Sequence, residues 1–150
     1  MREILFKAKR IDNGKWVEGF YFCMVHEDGS HIHHFIMPLG VDLSLGTPIE
    51  KIQVEIDINT LCQYTGLTDK NGNKIWENDV VKLTRNVGYK STKGRKFKVY
   101  FNNFLCHFTL SFGQEENEAF DYMELSDKKA SIIEVVGNIF DNPELLERGA

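Results

Sequence analysis

Apolar and polar residues alternate along much of the chain, which is the pattern of strands that bury one face. The alternation is cleanest over residues 51–58, where the apolar positions are Ile52, Val54, Ile56 and Ile58. A second alternating run covers residues 104–112 and places on one side Phe104, Cys106, Phe108, Leu110 and Phe112. We therefore predict two strands whose apolar faces belong to the core, with Cys106 among the core residues.

Turn residues divide the first third of the chain into further short strands. Residues 4–10 and 16–22 flank the tight-turn sequence Asp12-Asn13-Gly14-Lys15 and predict an opening β-hairpin. A second turn at residues 27–30 precedes a predicted strand over residues 31–37. Three strands in series are thus expected in the first third of the chain.

The remaining segments predict mostly strands and one short helix. Residues 38–48 contain two prolines and two glycines and predict an irregular, mobile loop. The apolar run at residues 132–136 predicts a central strand. Asn142 followed by Pro143 predicts the cap and first position of a terminal helix.

These elements predict a mainly β (β-rich α+β) fold. We expect one domain over residues 1–150 with two subdomains. Residues 1–60 would form a β-hairpin subdomain, and residues 61–150 a small SH3-like β-barrel with a short C-terminal helix. The barrel is an analogy at the level of fold and carries no function by itself.

The stretch from Gln63 to Val81 concentrates turn chemistry. Asn and Gly tolerate positive φ, and an Asp side chain can bond the backbone two residues on. The positions that predict two tight turns are Gly66, Asp69, Asn71, Gly72, Asn78 and Asp79. We expect positive φ at Gly72 and Asn78, and a capping role rather than catalysis for the two aspartates.

Three segments carry a resemblance to the YopX-like family of phages and prophages of Gram-positive bacteria. They are the opening REILFKA, the central QYTGLTDKNGNKIWENDVV and the closing EVVGNIFDNPELL. The family usually has Gly where this chain has Asn78, a residue that also tolerates left-handed geometry. The resemblance spans nearly the whole chain. It implies a phage-derived context and supplies no enzymatic activity or catalytic residues.

Composition and charge favour a cytoplasmic protein with an uneven charge distribution. No apolar run approaches the ~20 residues that cross a bilayer, and the N-terminus has no signal-peptide core. The three cysteines are odd in number and widely spaced, as in reduced proteins. The net charge of −4 combines +7 within residues 80–114, which contain no acid, with −11 elsewhere.

No motif for catalysis, cofactor binding or a conventional metal site is present. The chain lacks GxSxG, a P-loop and the Rossmann glycines. His31 and His33 would share one face of a strand and are a weak metal candidate, with His26 nearby. We expect no cofactor and interpret these histidines as residues of an exposed edge strand.

The basic segment suggests a nucleic-acid surface. Its cations lie on a predicted hairpin tip and its returning strand: Arg85, Lys90, Lys93, Arg95, Lys96 and Lys98. Such residues neutralise phosphates, while Tyr89, Phe97 or Tyr100 could stack on bases. The simpler interpretation is that these cations only keep an exposed loop soluble and that the aromatic residues belong to the core.

Three functional hypotheses follow, in order of preference. The first is an interaction or self-assembly module whose partner is another copy, or another phage or host protein. The second is a nucleic-acid-binding accessory factor. The third, an enzyme, has no support from any motif.

Overall fold

The computed structural model describes residues 3–87, 93–111 and 122–146. The chain divides into two compact units, Met1–Tyr64 and Thr65–Ala150. Two antiparallel sheets dominate, so the predicted mainly β class is confirmed.

The described strands and helices are short. In chain order the strands are β1 (Phe6–Lys9), β2 (Trp16–Val25), β3 (Ile32–Pro38), β4 (Val54–Glu55), β5 (Cys62–Thr68), β6 (Lys74–Trp76), β7 (Asp79–Leu83), β8 (Lys96–Asn102), β9 (His107–Ser111), β10 (Tyr122–Glu124) and β11 (Ile133–Asn138). The helices are α1 (Ile49–Ile52) and α2 (Asp127–Ala130), with 3₁₀ turns at Ile58–Thr60 and Pro143–Leu146.

The first unit is built around the predicted opening hairpin. β1 pairs antiparallel with β2, and β2 pairs with β3 over seven residues, from Gly19 opposite Pro38 to Val25 opposite Ile32. Within this unit the strand order is β4-β3-β2-β1, and β1 also pairs with the first residues of β5. Gly19 allows close approach of β3, because a Cβ there would lie 1.9 Å from the Met37 carbonyl oxygen. The inner face buries a cluster comprising Ala8, Ile36 and Ile56.

The second unit contains a five-stranded sheet in the order β10-β9-β8-β7-β11. One face of this sheet packs into a continuous apolar core. Its fully or largely buried members are Ile75, Val81, Leu83, Phe97, Val99, Phe108, Leu110, Leu125, Ala130, Ile132 and Ile133. The predicted burial of Phe108 and Leu110 is therefore confirmed.

The single strand predicted over residues 51–58 is wrong. Helix α1 begins directly after Pro48, and the Gln53 N–H donates to the Ile49 carbonyl at 2.8 Å. The strand itself is only Val54–Glu55, and Ile58 is exposed in a 3₁₀ turn. Val54 and Ile56 are buried as predicted, whereas Ile52 is half-buried on the helix. An alternating pattern over so few residues did not distinguish one strand from a short helix, a short strand and a 3₁₀ turn in succession.

The predicted strand over residues 104–112 begins three residues later, at His107. The Asn102 side chain accepts the backbone N–H groups of Phe104 and Leu105, both at 3.0 Å, and holds a turn there. Cys106 continues the turn with φ +55°. Phe104 is consequently 93% exposed and Cys106 is exposed, so their predicted burial is wrong. Phe112 lies outside the described residues.

Two finer predictions of architecture also change. Among the described strands neither sheet closes, so the SH3-like barrel is not confirmed. The run 132–136 contributes to β11, which lies at the edge of the second sheet rather than its centre. The predicted terminal helix is a 3₁₀ turn, in which the Leu145 N–H donates to the Asn142 carbonyl.

Candidate functional site

The first signature turn is organised by one buried carboxylate. Asp69 is 5% exposed and accepts the backbone N–H groups of Asn71 at 2.8 Å, Asn73 at 2.9 Å and Val135 at 3.0 Å. Gly72 has φ +85°, as predicted. Asp69 therefore holds its own turn closed and ties that turn to β11.

Asp69 keeps its charge despite being buried. Burial alone would raise the pKa of this carboxyl, but the N–H groups of Val135, Asn73 and Asn71 outweigh burial and lower the pKa below its ordinary value. The anion is saturated with donors from its own chain. It acts as a structural staple, in agreement with the predicted capping role.

The second signature turn has the same design. Asn78 has φ +65°, and the buried Asp79 carboxylate accepts the Trp76 N–H at 2.8 Å. The Asn78 backbone donates to Val99 at 2.7 Å and accepts from Ile139 at 3.1 Å. The prediction of two tight turns with positive φ at Gly72 and Asn78 is thus confirmed.

A contact that sequence reasoning missed joins two of the family-like segments. Val135, in the closing segment, donates to Asp69 in the central one, although 66 residues separate them. The Lys70 N–H adds a bond to the Ile133 carbonyl at 3.1 Å. The only signal in the sequence was that both segments resemble the same family.

The described cations of the basic segment lie on the side of the second sheet opposite the core, or beside the β7–β8 connection. Lys82 lies directly opposite Lys96, and Lys98 follows on the same face. Glu134 contacts Lys82 at 3.8 Å and Lys70 at 2.9 Å.

The other predicted members of the basic segment fall into four groups. Arg85, Lys93 and Arg95 are exposed, whereas Lys90 and Tyr89 lie outside the described residues. Phe97 is a core residue, so the expectation that it could stack on a base is wrong. Tyr100 is half-buried on the lysine-bearing face.

Three histidines cluster where β2 turns into β3. The His26 N–H donates to the His31 carbonyl, so these two residues lie opposite each other at the hairpin end. The His26 ring contacts both His31 and His33, with centroid distances of 5.6 and 5.3 Å. No group of three or more His, Cys, Asp or Glu side chains in the described ranges is arranged to hold a metal ion.

The side of the first sheet opposite Ala8 and Ile36 carries several aromatic and apolar side chains, and we call this side the outer face. Its apolar members are Trp16, Phe20, Phe22, Met24, Phe35 and Met37. Phe20 lies opposite Met37, and Phe22 stacks on Phe35 with centroids 5.4 Å apart. Phe20 is 48% and Met24 44% exposed, and none of the six is fully buried.

Sequence reasoning missed the outer face for a physical reason. Apolar residues occupy both alternating sets of positions in β2, so the pattern does not say which set is buried. The register shows it, because Tyr21 lies opposite the fully buried Ile36. The signal available in the sequence was that the alternate positions of β2 on the outer face are also apolar.

In the part of the chain that the structure describes, no helix is long and apolar enough to span a membrane. The three cysteines are free thiols.

Comparisons with known proteins identify the family. The family model described as YopX protein matches residues 6–147. The crystal structure of protein EF1440 from Enterococcus faecalis has the same fold, with a TM-score of 0.55 and 22% identity over 98% of this chain and 100% of that chain. No curated protein matches the chain. Because the family model covers nearly its whole length, the chain belongs to the YopX family, as its signature segments indicated.

Proposed function

We propose that this protein works by binding rather than by catalysis, as a self-assembly module of a phage or prophage that acts in the cytoplasm. The observation that carries this proposal is the outer face of the first unit. The phage setting and the cytoplasmic location rest on the family resemblance and on the sequence.

The outer face is unlike the solvent side of an ordinary antiparallel sheet. Such a sheet, packed on one side, normally presents polar residues to water on the other. Here the solvent side carries six aromatic or methionine side chains beside the charged residues Lys7, Lys9, Glu18 and Glu55. Apolar residues grouped on one exposed face mark a contact site, and aromatic residues and methionine are the types enriched in interfaces.

The occupant that best fits the outer face is a second copy of the chain. At one end, Lys7 and Lys9 lie over the Trp16 ring, 5.1 and 5.5 Å from its centroid. At the other end, the β2–β3 turn contributes Glu27 and Asp28. A two-fold axis through the centre of the face would place the basic end of one copy on the acidic end of the other.

Light scattering after size-exclusion chromatography tests this proposal. We expect a mass of twice the 17.3 kDa chain mass for the wild type. The double change Phe20→Ser with Met24→Ser should give the monomer mass. The control is Phe104→Ser, which removes an aromatic ring that is more exposed than Phe20 and lies outside the outer face. A wild type that stays monomeric, or a control that dissociates as readily, would overturn the proposal.

A second candidate is nucleic-acid binding by the basic segment, favoured by the placement of Lys82 opposite Lys96. Like charges directly across a strand pair are destabilising unless an anion neutralises them. Glu134 contacts Lys82, and a phosphate could neutralise Lys96. Affinity should fall steeply with salt. Changing Lys90, Lys93, Arg95 and Lys96 together to Glu should abolish binding, and no mobility shift at about 50 mM salt would exclude this candidate.

A further inference from the structure

The histidine cluster at the end of the β2–β3 hairpin has the geometry of a metal-chelating pair. The Nε2 atoms of His26 and His33 are 3.3 Å apart. Two nitrogens bound at about 2.0–2.1 Å to one tetrahedral zinc ion are separated by about 3.3 Å. The two rings thus meet through the same ring nitrogen at hydrogen-bond distance, one donating and the other accepting, and at this spacing one ion could replace the shared proton.

The hairpin itself sets this geometry. The Glu27–Ser30 turn closes with Gly29 at φ +71° and with the Gly29 N–H donating to His26 at 2.8 Å. His33 lies opposite Met24, and His26 lies opposite His31. His26 and His33 are thus diagonal neighbours on one face of an antiparallel pair, close enough for long side chains to meet.

A carboxylate fixes the proton on the second ring nitrogen. His33 Nδ1 lies 2.8 Å from Glu55 Oε1, on the neighbouring strand β4. An Nδ1–H donated to Glu55 leaves the Nε2 lone pair directed at His26. This arrangement of carboxylate, histidine and open nitrogen orients the ring and increases its basicity in many metal sites.

We propose that His26 and His33 bind one divalent transition-metal ion of the imidazole-preferring class, such as Zn²⁺, with Glu55 as the positioning residue. The two nitrogens supply half of a tetrahedral shell, and water completes it. The sequence pointed to His31 and His33, whereas the structure brings His26 and His33 together. His31 is engaged through Nδ1 with the Ser30 hydroxyl at 2.8 Å.

Calorimetric titration of the full chain with Zn²⁺ at neutral pH tests the site. We expect one ion per chain, with affinity reduced at least tenfold by His26→Ala or by His33→Ala. Glu55→Gln keeps the side-chain shape and should weaken binding by about tenfold, the lower end of what loss of such a carboxylate costs. That effect on affinity separates positioning from mere structure, provided the melting temperature is unchanged.

His34→Ala is the matched control. His34 is adjacent in sequence but lies on the opposite face, where its Nδ1 contacts the Tyr21 hydroxyl at 2.8 Å. The control also leaves the same number of histidines as each test variant, so it should retain wild-type affinity. Equal loss in His34→Ala and His33→Ala, or wild-type affinity in the double variant lacking His26 and His33, would overturn the proposal.

Discussion

In the unit Thr65–Ala150 the apolar side of the sheet is covered, whereas in the unit Met1–Tyr64 large apolar side chains remain at the surface. Of the twelve large hydrophobic side chains that the described residues expose, eleven precede Thr65. The second unit buries its apolar residues in one continuous cluster. Burial of apolar surface stabilises the fold by about 25 cal/mol per Å², so the second unit is the better candidate for the source of stability.

We infer that the second unit stabilises the fold and that the first unit provides the binding surfaces. The family signature lies mostly in the second unit, where Asp69 and Asp79 staple two turns. The first unit carries the outer face and the histidine pair. Its exposed apolar residues stay unexplained by its own packing, which is why we assign binding to it.

The largest effect we expect comes from truncating the core of the second unit. Phe108→Ala should lower the free energy of unfolding by about 3–5 kcal/mol, because it leaves a cavity beside Phe101, whose ring centroid is 5.2 Å away. Phe104→Ala, at a residue 93% exposed, should change it by less than about 0.5 kcal/mol. Chemical denaturation measures both. Equal effects would show that the two phenylalanines are not distinguished by burial.

Removing the Asp69 charge should have the next largest effect. Asp69→Asn weakens three charge-assisted hydrogen bonds from backbone N–H groups and should cost roughly 3 kcal/mol at neutral pH. Because the folded-state pKa of Asp69 is lowered, its contribution is present above the unfolded-state pKa and is lost as the pH falls through the folded value. The difference between wild type and variant should therefore shrink below about pH 4. Asp127→Asn, at an exposed residue, is the control. A difference in stability between wild type and Asp69→Asn that does not change with pH would contradict the stabilising role of the charged carboxylate.

Backbone strain in the signature turns should be worth less. Gly72→Val should cost roughly 1 kcal/mol or more, since φ is +85° and no atom lies within 4 Å of a Cβ placed there, so the penalty is conformational. Asn78→Gly, at φ +65°, should leave stability within about 0.5 kcal/mol. Thermal melts of the two variants compare them directly. A destabilising Asn78→Gly would mean that the Asn78 side chain, not its backbone, matters.

The sequence predicted the turns better than the limits of the strands. Asn71-Gly72 and Asn78 have local conformational preferences, so their geometry could be derived without knowing their neighbours. The alternating pattern identified Phe108 and Leu110 as buried but placed the start of the strand too early. The Phe104 N–H donates to the Asn102 side chain instead of to a neighbouring strand. An alternating pattern of residues does not reveal such a hydrogen bond.

The candidate sites depend on the register in which strands pair, and this register could not be predicted from the sequence. The outer face required the knowledge that Tyr21 lies opposite Ile36. The histidine pair required the diagonal placement of His26 and His33 across a hairpin. Both are relations between strands, and residue spacing along one strand predicts neither.

The most direct test of the central claim is the solvent accessibility of the Met24 methyl group, measured by NMR with a soluble paramagnetic agent over a dilution series. Met24 is 44% exposed in the single chain and lies on the outer face. If a second copy covers this face, the methyl signal should be protected at high protein concentration and broadened on dilution. Broadening that stays constant while the measured mass changes would show that the copies associate through another surface. Constant broadening with a constant monomer mass would contradict self-assembly altogether.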